Sequence, residues 1–299
     1  MANEAVAPRQ RLRILAPAKI NLFLRVTGQR ADGYHTLQTV FQFIDLCDEI
    51  ELTTRTDGLI ERETELPGVD QAADLSVRAA RALQLVTGIP LGVNIRIEKR
   101  IPMGGGLGGG SSNAASVLLG LNELWGLGLK PLDLARIGLE LGADVPVFIH
   151  GRATWAEGVG ERFLPIELTQ SDFLLALPAV EIPTAEVFTS SELTRDCVPL
   201  TIASFPMHES QRNVRHFMVA GNACEAVVRP RYQVVADTLD WLGQWGVARM
   251  TGTGAACFAA PDDVAIAAAL VAQSVPCPVM RVRGLNLSPA LQALPPRVS

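Results

Sequence analysis

The stretch Ile101-Pro-Met-Gly104-Gly-Gly-Leu107-Gly-Gly-Gly110-Ser-Ser-Asn-Ala-Ala-Ser116 places six glycines in the seven positions from Gly104 to Gly110. Glycine loses more backbone freedom on folding than any other residue, so a run this dense points to positive φ angles or a close backbone approach. Ser111, Ser112 and Asn113 follow, all good N-cap residues. Next comes an apolar pattern at helical spacing (Val117, Leu118, Leu121, Leu124, Trp125) that Gly126 stops. A glycine loop feeding a helix N-terminus offers free N–H groups and the positive end of the helix dipole, which suits a phosphate.

Competing motifs fit the loop less well. No Lys-Ser or Lys-Thr pair follows the glycines, which excludes a Walker loop. Gly104, Gly106 and Gly109 do have the dinucleotide-binding spacing of an oxidoreductase. However, Glu98–Met103 separates them from the strand expected at Val93–Ile97, and the residues downstream continue as helix. A flexible linker does not run from a strand into a capped amphipathic helix. The loop reads as a phosphate cradle.

The rest of the composition is that of a globular chain. At 299 residues, with 48% hydrophobic and 19% charged residues, it can bury one large core or two ordinary ones. A formal net charge of −5 argues against a general nucleic-acid or membrane-surface partner. The longest clean apolar run, Val264–Ala272, is too short for a membrane span, and no apolar signal core precedes the first strand. The five scattered cysteines and four histidines show no metal-ligand spacing, so reduced thiols and no dedicated metal site are expected. The expectation is a soluble cytoplasmic protein.

Of the 26 basic residues only Lys19, Lys99 and Lys130 are lysines. Where arginine is used so freely, a retained lysine marks a place for a compact ammonium. Lys19 and Asn21 lie two apart in an alternating strand, Arg11–Val26, and share the face opposite Ile20, Leu22, Leu24 and Val26. An exposed edge would account for them, but the scarcity of lysine favours a site. Lys130 reads as surface.

Thr36–Thr54 is expected to be extended, beyond a Gln29–His35 loop that turns at Asp32-Gly33. Leu75–Thr87 reads as a helix closed by Gly88, with Leu75, Ala79, Ala82, Leu83 and Val86 inward. Pro131 opens a helix that Gly142 ends, and Ala143–Ile149 turns back into the core. Gly151–Gly160 has a hinge-like composition. Beyond it come strands at Phe173–Leu177 and Val279–Val282, a helix or turn begun at Pro183–Phe188, a second glycine turn (Thr251-Gly-Thr-Gly-Ala255) leading into strand within Met250–Ala260, and a helix at Val264–Ser274. Asn222–Trp245 is mostly helical and interrupted near Pro230, whereas Thr194–Gln211 reads as loop. Strands and helices without a regular βαβ rhythm make the class α+β.

Pro102-Met-Gly-Gly-Gly-Leu-Gly-Gly-Gly-Ser-Ser112 resembles the ATP loop of the GHMP kinases. Pro17-Ala-Lys19-Ile-Asn21-Leu22, the segment through Asp32-Gly33-Tyr34-His35, and Gly142-Ala-Asp144-Val-Pro146 resemble their diphosphocytidyl-methylerythritol kinase branch. The likeness runs from Pro17 to about Val282. It implies an N-terminal ATP-binding domain over residues 1–155 with a left-handed βαβ crossover, and a ferredoxin-like domain over 156–299. It also implies ATP, with Mg2+, as phosphoryl donor to the 2-hydroxyl of a small molecule carrying a cytidine diphosphate group, in the non-mevalonate route to isoprenoid precursors. The implied partners include no nucleic acid and no membrane, and the implied assembly is a monomer or weak homodimer.

The resemblance also assigns residues. On local grounds Asp144, before a Val-Pro step, would be a turn or cap residue. The family places its catalytic carboxylate there and its active-site lysine at Lys19. A positioned carboxylate can take the proton of an attacking hydroxyl, and a neighbouring ammonium offsets charge on the transferring phosphoryl group. Lys99, Pro102, Met103, Gly104, Gly105, Gly106, Leu107, Gly108, Gly109, Gly110, Ser111 and Ser112 are implied at ATP, with Ser111 or Ser112 near Mg2+. Asn21, Tyr34, His35, Thr184, Phe188, Thr251 and Gly252 are implied at the substrate. Tyr34 and Phe188 would wall the base, whose edge then needs hydrogen bonds for selectivity.

Overall fold

The computed structural model describes residues 10–31, 33, 35–205, 213–261 and 276–294. Two long strands, β1 (Arg11–Gln29) and β2 (His35–Arg55), pair antiparallel from Arg11↔Thr53 to Gln29↔His35. The register shifts at Pro17/Ala18 and again between Asn21 and Leu24, so local bulges bracket Lys19 and Asn21. The alternation expected in β1 is present, but both of its faces are covered: Lys19, Asn21 and Phe23 are as buried as Ile20 and Leu22.

The sheet grows from β2, whose length lets different stretches pair with different strands. Its C-terminal half pairs with β4 (Gly92–Glu98) and its N-terminal half with β5 (Thr154–Glu157). Between these, Phe43 and Ile44 meet β10 (Val279–Leu285). β3 (Ile60–Arg62) runs parallel to β4, with α1 (Leu75–Thr87) between them in sequence, making the βαβ unit. Beyond β10 the sheet continues antiparallel through β7 (Asp172–Ala176), β9 (Cys257–Ala259) and β8 (Ala248–Met250). The mixed sheet agrees with the α+β expectation.

Asp74 caps α1 by accepting the Ser76 N–H at 2.8 Å, and Gly88 closes it in the left-handed region. Ser76, Val77, Ala79, Ala80 and Leu83 face inward, whereas Val86 is 66% exposed, contrary to expectation. Small residues let α1 lie close against α2 (Gly109–Leu124), and the last turn of α1 is left facing solvent. α2 is the central helix, buried from Ser112 to Leu121. A side chain at Gly120 would come within 2.6 Å of Ile14 and Leu52 on the β1–β2 pair beneath.

α3 (Pro131–Leu141) starts and stops as expected, and Ala143–Ile149 returns to the core as a short helix, α4 (Val145–His150). The hinge-like segment contains β5, which runs through residues 155 and 156 and also pairs with β6 (Arg162–Pro165). α5 (Thr184–Thr189) and α6 (Val214–Met218) follow. The break expected near Pro230 falls at Tyr232, between α7 (Glu225–Arg231) and α8 (Gln233–Gly243), whose apolar faces pack with Leu174, Ala176 and Met250. The helix expected at Val264–Ser274 lies outside the described residues.

His150, at the far end of α4 from Asp144, is half-buried, stacks on Phe163 with centroids 5.2 Å apart, and leaves a buried Nε2 without a partner among the described residues. Burial, and then the Arg152 cation, push its pKa down. The folded state therefore resists protonation of this ring, and as pH falls the unfolded chain takes up the proton first, near pH about 6.5. Stability is expected to fall as pH drops through and below that value. In a His150→Leu variant the pH dependence of Tm should be flatter over this window.

Candidate active site

The bulged part of β1 delivers Lys19 to the base of a cavity. Its side chain is only 4% exposed, and Nζ donates to Asn21 Oδ1 at 2.8 Å and lies 3.2 Å from Asp144 Oδ2. The Phe41 ring stands 5.4 Å from the ammonium. Asp144 precedes the first turn of α4, makes no capping hydrogen bond there, and keeps 38% of its side chain open. The local reading as a turn or cap residue holds for its position, in the turn at the N-cap of α4, but its side chain makes no capping bond and is left for other work. A buried cation thus meets a carboxylate that opens toward solvent.

The glycine loop wraps over this pair. Gly104, Gly106 and Gly108 all have φ near +72°, a region side chains strain to enter. At Gly106 a Cβ would lie 2.3 Å from the Thr251 carbonyl oxygen, and at Gly108 it would lie 2.9 Å from the Phe148 ring and 3.1 Å from Lys19 Cε. The Lys19 backbone N–H donates to Leu107 O at 2.9 Å, which ties the loop to β1. The helix begins earlier than expected. Gly108 is its N-cap, so Ser111, Ser112 and Asn113 lie inside the first turn instead of capping it. A left-handed glycine turns the chain into helix with no side chain covering the first N–H groups, and those groups stay free for an anion.

The second glycine turn braces the first. Thr251 is fully buried. Its Oγ1 accepts the Asn21 N–H at 3.0 Å and stands 3.3 Å from Asn21 Oδ1 and 3.4 Å from Gly106 O. The Asn222 carboxamide holds the turn from behind, donating to Met250 O at 2.7 Å and Gly252 O at 2.8 Å.

These parts enclose a cavity of about 610 Å³, lined by residues 102–111, Lys19, Asn21, Asp144 and the turn at 252–254. Leu66, Val69 and Leu75 line it near α1, and Thr184 and Phe188 line it near α5. Lys99 is part of the lining as well. The expected residues therefore converge, apart from a few that stand outside the lining. Ser112 is buried in α2 with an unpartnered hydroxyl, and Thr251 lies behind the wall as a brace. His35 is stacked on Phe188 with centroids 5.2 Å apart, and burial and then Arg195 push its pKa down. Tyr34 lies outside the described residues.

Sequence reasoning missed Asp48. This carboxylate is fully buried within β2, and its Oδ1 accepts the N–H groups of Arg100 at 2.7 Å and Ile101 at 2.8 Å. Its Oδ2 pairs with Lys99 Nζ. It anchors the chain where it enters the glycine loop and holds Lys99 over Gly109. β2 carries Asp45, Glu49 and Glu51 as well, so no local signal singled Asp48 out. Asp48→Ala would strand an ammonium and two backbone donors, so a loss of about 3–5 kcal/mol is expected in urea unfolding.

Among the described residues no three or more His, Cys, Asp or Glu side chains are grouped to hold a metal ion, and no helix is long and apolar enough to cross a membrane. Residues 74–152 match the GHMP kinases N terminal domain. A 4-diphosphocytidyl-2-C-methyl-D-erythritol kinase of Nitrosococcus oceani is 54% identical across 86% of this chain and 88% of its own length. One of Alkalilimnicola ehrlichii is 50% identical across 90% and 94%. The crystal structure of a 4-(cytidine 5'-diphospho)-2C-methyl-D-erythritol kinase superposes with a TM-score of 0.74 at 30% identity, covering 91% of this chain and 99% of that one. Homoserine kinase from Cytophaga hutchinsonii, at 14% identity and a TM-score of 0.68, shares the fold. Likeness at this level, across nearly the whole length, places the chain in the 4-diphosphocytidyl-2-C-methyl-D-erythritol kinase family of the GHMP fold, as a small-molecule kinase.

Proposed function

We propose that this kinase uses ATP to phosphorylate the 2-hydroxyl of 4-diphosphocytidyl-2-C-methyl-D-erythritol, a step of the non-mevalonate route to isoprenoid precursors. The observation that carries the reading is the buried Lys19 ammonium, 3.2 Å from the open Asp144 carboxylate, beneath a glycine cradle with free N–H groups. Asp144 takes the proton of the acceptor hydroxyl as its oxygen bonds to the γ-phosphorus and the bond to the β-phosphate oxygen breaks, releasing ADP. Lys19 offsets charge on the transferring group, and the loop from Pro102 to Ser111, with Lys99, holds the donor. Much of the rate enhancement comes from alignment in the enclosed cleft.

Mg2+ accompanies ATP and takes few protein ligands beyond the phosphates. A hard hydroxyl donor is present in the lining at Ser111, whereas Ser112 is buried in α2 and does not reach the cavity. Ser111 would help hold the ion, which would neutralise charge on the phosphate oxygens. On the opposite side Phe188 lines the cavity with His35 stacked on it. In this reading these two receive the cytosine, together with Tyr34, which lies outside the described residues, and Asn21, Thr184 and Gly252 lie along the path to Lys19. Thr251 acts as the brace of that path. The reading includes a division into domains at 155/156, a cytoplasmic location, and a monomer or weak homodimer.

A coupled ADP-release assay tests it. Turnover is expected with the cytidylyl substrate and none above background with homoserine or mevalonate. Faster turnover of either of those alcohols would overturn the assignment.

A further inference from the structure

Arg195 belongs to no part of the cleft described so far, yet it organises one wall. It lies in the irregular segment after α5, 160 residues from His35, and its Nε donates to His35 Nε2 at 3.1 Å. The rest of its guanidinium is spent on backbone: Phe188 O at 2.9 Å, Ser190 O at 2.7 Å and Leu193 O at 3.2 Å. A single planar fork thus ties the start of β2 to the end of α5, and Phe188 and His35, the two residues it bridges, stack on each other.

The direction of the first bond has a chemical consequence. Arginine does not give up its proton in proteins, so its Nε–H can only donate, and His35 Nε2 must be the acceptor. A neutral imidazole carries one proton, which must then sit on Nδ1. Among the described residues that Nδ1 has no hydrogen-bond partner. Among the described residues it is an unspent donor, on a ring that stacks against Phe188, a residue of the cavity lining. Burial and the adjacent Arg195 cation both disfavour a second proton on the ring.

We propose that Arg195 is the positioning residue for base recognition: it locks His35 in the Nδ1–H tautomer and fixes Phe188 by its backbone, presenting one oriented donor and one stacking face. This inference rests on the proposed cytidylyl substrate for its ligand but not for its geometry. An oriented N–H suits a ring edge that offers acceptors, as cytosine does at N3 and O2. A uracil ring puts its own N–H at position 3 and would set donor against donor.

The test has a spectroscopic arm and a kinetic arm. Long-range 1H–15N correlation spectra of the histidine rings at pH 8, with His35 assigned by its loss in His35→Gln, report the tautomer of the free enzyme directly. The wild type is expected to show Nδ1–H at His35, and Arg195→Met to shift the ring toward Nε2–H. In the same variant, loss of one oriented hydrogen bond should raise KM for the cytidylyl substrate about tenfold, with kcat and KM for ATP changed less than about twofold. Arg195→Lys, which keeps a donor but not the fork, should fall between. An Nε2–H tautomer in the wild type overturns the inference, even if the Met variant fails to fold. So does an unchanged KM in Arg195→Met, or a parallel loss of kcat and ATP affinity. If the wild type showed Nδ1–H but did not turn over the cytidylyl substrate, the functional reading would fail while the tautomer lock stood.

Discussion

Asp144→Asn is expected to fold like the wild type and to lose about 10²–10⁴-fold in kcat. The two side chains have nearly the same shape, and the aspartate is not a structural fixture: it makes no cap bond to α4 and remains partly open to water. What the amide cannot do is accept the proton of the attacking hydroxyl. KM for ATP should change little, because the donor is held by loop N–H groups on the other side of Lys19. Circular dichroism and Tm would establish folding, and ADP release the rate. Near-full turnover in a folded variant would remove Asp144 from the chemistry.

The second large effect is expected at Lys19. Lys19→Met keeps the unbranched stem in the tight space beside Gly108 and Phe41 and removes only the charge. Asp144 can hydrate once the pair is gone, so the stability change should be small compared with truncation of a fully buried pair. The rate should fall about 10²–10³-fold, the scale seen when one donor to a developing charge is removed. Arg is not a rescue: a Cβ added at Gly252 would already lie 3.6 Å from Nζ, and a planar fork needs more room than that. A Lys19→Met enzyme within a few-fold of wild type, or a Lys19→Arg enzyme of full activity, would contradict this role.

The parts of the fold and site visible in the sequence are those that local chemistry dictates. The Gly88 stop of α1, the Pro131 start of α3 and the alternation of β1 each follow from a few adjacent residues. The glycine run was legible as a cradle because a backbone so costly to order must return that cost in close contacts, and the helix start beside it supplies donors for an anion. The missing parts depend on contacts between distant segments. Nothing local distinguishes Ser112 as a cap from Ser112 inside a helix, since that depends on Gly108 turning left-handed against Phe148 and Lys19. Val86 fits an inward periodicity, but the closeness of α1 to α2 decides the true face. Asp48 meets its partners 51 to 53 residues away, and Thr251 meets Asn21 across 230, so neither role shows in spacing or pattern. β5, inside the hinge-like segment, and β6 after it are short; β5 acquires its partner residues from distant β2, and β6 pairs in turn with β5.

The most direct measurement is a crystal structure of the ternary complex with a non-hydrolysable ATP analogue and the cytidylyl substrate. The account predicts the triphosphate against the N–H groups of residues 108–111, its terminal phosphate beside Lys19, and the acceptor hydroxyl within hydrogen-bond reach of the Asp144 carboxylate. A triphosphate bound elsewhere, or an acceptor hydroxyl turned away from both side chains, would contradict it.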